Sequence, residues 1–336
     1  MRDTVCAMVV TYRDRQSMAM SVVQRAISEG VSAVIVVLNG VSWRHEHLRQ
    51  DWGIPEHVDL NIIDNSRNLG SAPAFHQGME AFLRMDYDYL WILDDDTAPV
   101  EGCLATLLRA TQSLKQEHNS AVFAVNAYRE EHHRFLRRAA VDGCVFSPVD
   151  SFIGFHMSTI FRKIRRRIFP ALVSSDTTSW VRTDSSIYGG LLISRDDMAV
   201  VGTSIPEFCL YADDTEWTQR IWKWGKGCFI IDEAQLEDLD SSWNTHDRDV
   251  TSFERWALMG SELQVYYAFR NNAYLSWHIR PYNHKIILAM NTAMYMSVLF
   301  ALCAVTWRWG RLRTIHTAFM DALSKRLGES RLFPLS

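Results

Sequence analysis

"LWILDDDTAP", Leu90 to Pro99, decides how the rest of the chain is read. Four apolar residues, the mark of a buried strand, lead directly into three consecutive aspartates. Neighbouring carboxylates repel, and the repulsion grows as water is removed. Something positive is therefore expected at the end of that strand.

On either side of this stretch, strands and helices alternate. Val5–Thr11, "AVIVVL" (Ala33–Leu38) and "VDLNIID" (Val58–Asp64) read as strands, and Ser17–Glu29 and Ala72–Met85 as helices. A helix over Gly102–Glu117 and a strand over Ala121–Val125 follow. The pattern predicts an α/β fold, a Rossmann-like, mostly parallel sheet with helices on both faces. Such sheets bind ligands beyond the carboxyl ends of their strands. Thr11-Tyr12, Asn39-Gly40, Asp64-Asn65 and Asp94–Asp96 all fall there, which outlines a nucleotide-sized site.

The 336 residues suit one large domain or two, and the formal charge of −4 gives no reason to expect a nucleic-acid partner. The N-terminus meets polar residues at once and reads as a strand, not as a signal peptide. Six scattered cysteines with no CxxC pair point to reduced thiols in a cytosolic setting. Basic residues bunch in "HHRFLRR" (132–138) and "FRKIRRRIF" (161–169). The second run is either a solvated loop or a surface for lipid or for a lipid diphosphate.

A strand followed by DDD and then Thr-Ala-Pro suits a metal–diphosphate clamp, with oxygen ligands for Mg2+ or Mn2+. The plain alternative is an acidic turn that caps the next helix. In "NSRNLGSAPAFHQGM" (Asn65–Met79), Gly70 and the small Ser71 and Ala72 let backbone approach a ligand, and a helix start can face a diphosphate. A second acidic group, Asp213, Asp214 and Glu216, opens a helix marked by Trp217, Ile221 and Trp224. It is either a dipole-favoured first turn or the seat of a general base. Upstream, Gly189 and Gly190 precede a strand and would let an acceptor approach the backbone.

Taken in order, "VVTYRDR" (9–15), "VVLNG" (36–40), "NLGSAPAFHQGM" (68–79), "WILDDDTAP" (91–99), "YGGLLISR" (188–195), "LYADDTEWTQRI" (210–221) and "YYAFRNNAYL" (266–275) resemble the inverting family 2 glycosyltransferases of the GT-A fold. Among these the chain looks most like bacterial galactofuranosyl- and rhamnosyltransferases of cell-surface polysaccharide synthesis, such as that of O-antigen. The likeness covers roughly Val5 to Trp277.

The resemblance implies a role for each matching residue. Thr11, Tyr12, Arg13, Asn39, Asn65 and Asn68 belong to the nucleotide-sugar site, together with Gly70 and Ser71 at the diphosphate and Asp94 and Asp95. Asp94 and Asp96 are metal ligands, and Asp214 is the base, with Asp213 and Glu216 beside it. Gly189, Gly190, Arg270 and Asn271 belong to the acceptor side. A histidine after the base motif is expected on the metal. Here "SSWNTHD" has Asn244 at that place, and His246 two residues on is the candidate.

The implied division is a catalytic domain over 1–280, with a nucleotide-sugar half (1–127) and an acceptor half (128–280), and a helical membrane-associated region over 281–336. The implied activity moves a sugar from a nucleoside diphosphate sugar to a lipid-linked saccharide, with inversion and with Mn2+ or Mg2+. UDP-galactofuranose is favoured as donor, and dTDP-rhamnose is the alternative. A nucleotidyltransferase would carry glycine in the loop after strand one, where "TYRDRQS" has none. A non-catalytic membrane-attached nucleotide-binding module would need no Asp214.

Ile286–Trp307 has 22 residues and no charge, long enough to cross a bilayer core; the alternative is a buried core helix, for which Asn291, Thr292 and Ser297 leave room, and the basic and tryptophan flanks favour a membrane contact. A single span would carry Arg308, Arg311, Arg313, Lys325 and Arg326 away from a cytosolic catalytic domain, against the positive-inside tendency. The expectation is a peripheral or monotopic protein on the cytoplasmic face of the inner membrane. The stretch Trp309–Leu327, with Leu312, Ile315, Phe319 and Leu323 on one helical face, is expected to add to the lipid-facing surface.

Overall fold

The computed structural model describes residues 3–118, 122–126, 132–133, 135–137, 148–160, 178–223, 227–240 and 251–335. The first part follows the alternation in the sequence: β1 (Val5–Arg13), α1 (Gln16–Ser28), β2 (Ala33–Val41), the single turn α2 (Leu48–Asp51), β3 (Asp59–Asn65), α3 (Ser71–Leu83) and β4 (Tyr89–Asp94). Then come β5 (Thr97–Pro99), α4 (Cys103–His118), β6 (Val122–Asn126), β7 (Trp180–Thr183), β8 (Leu191–Ser194) and α5 (Arg195–Val201). The chain continues with α6 (Asp213–Lys223), β9 (Gly227–Ile231), β10 (Leu236–Asp238), α7 (Ser252–Leu258), α8 (Glu262–Tyr274), α9 (Lys285–Val305) and α10 (Trp309–Leu323).

Eight strands form one sheet in the order β3-β2-β1-β4-β8-β6-β9-β7. β1 pairs in parallel with both β2 and β4, and β2 with β3, as the alternation predicts. The other half is mixed: β8 runs antiparallel between β4 and β6, and β7 runs antiparallel on β9. Apolar composition marks a buried strand and says nothing about its direction, which is why these reversals are not legible in the sequence.

Alternation along β1 feeds two cores. Val5, Ala7 and Val9 pack with Ala19, Val22, Val23 and Ala26 of α1 on one face of the sheet. Cys6 and Met8 pack with Phe75, Met79 and Phe82 of α3 on the other. Both layers are needed to bury a strand as uniformly apolar as β2. The cysteines among the described residues (Cys6, Cys103, Cys209, Cys228 and Cys303) are free and buried, and Cys144 lies outside them.

A third core joins α7 to α10 and the segment around Phe152, through Phe269, Tyr295, Leu299, Ile315 and Ala318. It corrects one expectation. Ile315 is fully buried, and Leu312 and Phe319 pack in part against the same core, so the Ile315 side of α10 turns to protein. Arg311 is buried as well, its Nε 3.2 Å from Glu262, and is not part of an exposed basic surface.

Candidate active site

A cleft of about 680 Å³ opens at the carboxyl ends of β1, β2 and β4. Tyr12, Arg13, Arg15, Asn39, Asn68, Gly70, Ser71 and Asp94–Asp96 form one side. Leu210, Tyr211, Ser261, Leu263, Gln264 and Leu335 form the other. Most of the residues expected at a nucleotide-sugar site therefore meet in one place. Thr11 is fully buried just before the lining residues, and Asn65 stands behind the loop.

Part of the positive charge demanded by the three aspartates comes from the chain itself. Arg15, in the turn between β1 and α1, directs Nε to Asp95 at 3.0 Å and Nη2 to Asp96 at 2.7 Å. Its Nη1 reaches Asp240 at 3.1 Å. Asp240 is delivered by the antiparallel ribbon of β5 and β10, where the Leu239 amide also donates to the Asp96 carbonyl at 2.7 Å. Burial lifts the Asp95 carboxyl to about 6, and Arg15 only partly offsets that. The Tyr12 ring lies under two guanidiniums, Arg15 at 5.5 Å and Arg13 at 5.9 Å, and the cationic faces steady it at the mouth of the cleft. Arg15 sits inside "VVTYRDR", but no sequence pattern connects it to a carboxylate more than 200 residues away.

Asn39 is the hub of the next wall. Its Nδ2 donates to Asn68 Oδ1 and to the Gly70 carbonyl, both at 3.0 Å, and its Oδ1 accepts from the Leu69 amide at 3.0 Å. Asn65 donates to Gln77 at 2.8 Å. These two asparagines shape the 65–70 loop, and the Asn39 amide is fully committed to that loop. Gly70 has φ of 92°, and a Cβ there would stand 2.1 Å from the Cys209 carbonyl. Only glycine lets this loop reach residue 209, where the Ala72 amide donates to the Cys209 carbonyl at 3.2 Å.

The facing loop is strained. Cys209, Tyr211 and Ala212 all have φ between 61° and 66°, a region that non-glycine residues rarely occupy. Arg270 and Asn271 hold it. Asn271 Nδ2 donates to the carbonyls of Phe208, Leu210 and Tyr211 at 2.8–2.9 Å. Arg270 donates to Phe208 at 3.0 Å and to the Gly328 carbonyl at 2.6 Å. Both side chains are buried, at 1% and 0% exposure, so they cannot touch an acceptor, as the resemblance had implied. They brace the loop that presents α6. Buried carbonyls need donors, and these residues supply them.

Asp213 and Asp214 open α6. Asp213 is buried and accepts from Ser71 Oγ at 3.2 Å, while its Oδ2 has no hydrogen-bond partner. Burial first, then the charges of Asp214 and Asp94, push its carboxyl up to about 8. Asp214 is half-buried and accepts from the Thr215 amide at 2.6 Å. Glu216 turns away from this chemistry. It is 1% exposed and forms a bidentate pair with Arg220 at 2.6 and 2.7 Å. That guanidinium also donates to Thr203 at 2.9 Å. A buried carboxylate must be paired, and Arg220 supplies that pairing for Glu216.

Gly189 and Gly190 are likewise buried, and the Gly190 amide donates to the Ile92 carbonyl at 2.8 Å, which joins β8 to β4. They serve the sheet and present no acceptor surface. Among the described residues no three His, Cys, Asp or Glu side chains already stand close enough to hold a metal. His246 and Asn244 lie outside the described residues.

No family model matches the chain. The galactofuranosyltransferase GlfT1 of Mycolicibacterium smegmatis is 33% identical over 109 residues, 32% of this chain and 34% of that protein. The match thus spans about a third of the relative's length. Two solved structures superimpose at 13% identity. One, GalNAc-T7 with UDP, GalNAc and Mn2+, gives a TM-score of 0.52 over 87% of this chain and 55% of its own. The other, the mannosyltransferase PcManGT from Pyrobaculum calidifontis with GDP-Man and Mn2+, gives 0.53 over 97% and 87%. With its parallel half-sheet, its inserted antiparallel strand and its acids at the strand ends, the chain has the GT-A fold of the glycosyltransferases.

Proposed function

We propose that the chain is an inverting, metal-dependent glycosyltransferase. Its donor is UDP-galactofuranose and its acceptor a lipid-linked saccharide at the cytosolic leaflet of the inner membrane, in cell-surface polysaccharide synthesis. One observation carries the reading. Ser71 lines the same cleft as Asp94–Asp96 and donates to Asp213 at the start of α6, 119 residues after Asp94 in sequence. The partial likeness to a galactofuranosyltransferase supports the choice of sugar.

The side chains of the cleft and of the α6 start next to its 210–211 wall divide the work. Ser71 at the start of α3 faces the diphosphate, where the positive end of the helix and Arg13 favour negative charge. Tyr12 stands at the mouth on the nucleoside side. Asp214 accepts the proton of the acceptor hydroxyl as that oxygen forms its bond to the anomeric carbon. The bond from that carbon to the diphosphate breaks, and its electron pair leaves with the nucleoside diphosphate. A single displacement of this kind inverts the anomeric centre. Burial and the charge of Asp214 raise the Asp213 carboxyl, which favours its protonated form beside the base.

The acids of the cleft outnumber the one guanidinium paired with them, Arg15, and their oxygens suit a hard divalent cation. Asp94 and Asp96 would hold it, with His246 as the further candidate. It would supply Lewis-acid stabilisation of the departing diphosphate.

A donor panel read by released nucleotide tests the reading. Release of UDP from UDP-galactofuranose, dependent on acceptor and abolished by EDTA, is expected. Release of dTDP from dTDP-rhamnose instead would reassign the sugar. Full activity in EDTA would remove the metal from the scheme.

A further inference from the structure

α9 is apolar all round, yet only half of it is covered. Leu288, Asn291, Tyr295, Leu299 and Cys303 face the third core and are buried. On the opposite side Ile286 is 76% exposed, Met290 51%, Met294 40% and Val305 78%. These positions recur at helical spacing and form one ridge. Phe300, Trp307 and Trp309 continue it at 54%, 81% and 47% exposure. A contiguous apolar ridge of this length is not left facing water without a partner.

We infer that this ridge rests on an anionic phospholipid bilayer, with α9 lying in the plane of the interface and not across the membrane. Charge identifies the partner. Residues 281–336 carry seven Lys and Arg, six of them exposed and Arg311 buried, against two Asp and Glu, in a chain whose overall charge is −4. Lys285, Arg308 and Arg313 are exposed at the ends of the ridge, where they can meet headgroup phosphates. Beside it a groove of about 800 Å³ between α9 and α10 is lined by Met296, Phe300, Trp309 and Leu312, with Arg313 and His316 at its edge. An acyl chain fits the apolar lining and a phosphate the cations. The exposed tryptophans suit the headgroup level.

The buried face sets the orientation. Asn291 donates to the Asp150 carbonyl at 2.8 Å and accepts from the Met157 amide at 3.0 Å. A spanning α9 would have to break these bonds or drag the segment around Asp150, with α7 and α10, into hydrocarbon. An in-plane helix keeps every one of these contacts and still buries its ridge.

This inference adds a surface to the proposed acceptor chemistry and is tested without donor or acceptor, so either can fail alone. The purified full chain is floated with vesicles of phosphatidylcholine or of phosphatidylcholine with phosphatidylglycerol. Wild type is expected to float with the anionic vesicles and to be released by salt. Met290→Glu with Met294→Glu should lower partitioning roughly 10- to 100-fold, as the loss of two buried apolar side chains requires. Val200→Glu, exposed on α5, should not change it. Thermal unfolding of the double variant should match wild type, because both positions are exposed.

Three results would overturn the inference. One is wild type that stays at the bottom with every vesicle. Another is a double variant that floats undiminished, or one that instead dissolves a homodimer. The third is residues after Arg313 being labelled only from the side of the vesicle opposite the cleft, which would show a true span.

Discussion

At the end of β4, Asp95 and Asp96 share the Arg15 guanidinium with Asp240. At the start of α6, Asp213 has one serine hydroxyl and a carboxylate oxygen with no hydrogen-bond partner. Both are acidic turns at the edge of one sheet. The first is tied down by charge and the second by backbone, through Asn271 and Arg270 on the strained 209–212 loop. Fixed positive charge suits acids that must stay ionised around a cation. A loop braced through its backbone carbonyls suits a pair in which one carboxyl is protonated and its neighbour takes a proton.

The sharpest test of this contrast is Asp214→Asn. It keeps the shape and removes the proton acceptor, and turnover should fall about 10²- to 10⁴-fold with donor binding retained. Nucleotide release under saturating donor measures it. Wild-type turnover would place the base elsewhere.

Arg15→Ala should act on stability first. It leaves Asp95 buried beside Asp96 with its counter-charge gone, and about 3 kcal/mol of unfolding free energy should be lost, as when one partner of a buried ion pair is removed. Arg15→Lys should recover little of it, since Nε and both terminal nitrogens are in use. Urea unfolding reads both variants. A loss equal to that of an exposed ion pair would mean that the β4 turn does not depend on Arg15.

Asn271→Ala uncovers three carbonyls and should cost roughly 1–3 kcal/mol. Its signature beyond stability is a lower kcat with an unchanged KM for donor, because the loop it braces presents Asp214 and not the nucleotide. A change in acceptor KM alone would restore the direct acceptor role that burial argues against.

The last effect is a slope with pH. The Asp213 carboxyl is raised by burial, so the stability it contributes is present in full below its unfolded value of 3.8 and is lost as pH rises through about 8. Asp213→Asn should match wild type in acid, gain on it progressively as pH rises from about 4, and hold a constant lead above about pH 8. Unfolding midpoints at acid, neutral and alkaline pH measure this. Parallel curves would show that Asp213 is ionised throughout.

Much of this molecule is legible along the chain. The uniformly apolar β1, β2 and β4, the amphipathic α1 and α3 and the polar strand ends are local patterns, and local patterns fix the half-sheet and the edge on which the cleft opens. The cleft residues Tyr12, Arg13, Asn68, Gly70, Ser71 and Asp94–Asp96 follow from that edge. Three things were decided only by the fold. Arg15 and Asp240 meet because a short ribbon of β5 and β10 closes beside β4, a contact between distant segments that no spacing encodes. Arg270, Asn271 and Glu216 look like exposed chemistry in one dimension and are buried in three, where their charges and amides answer the needs of neighbouring backbone and of Arg220. Sequence alone leaves α9 as a helix able to span a bilayer. Packing of Leu288, Tyr295 and Leu299 against the third core is what turns half of it inward, because hydropathy counts apolar residues without saying which of them already have a neighbour.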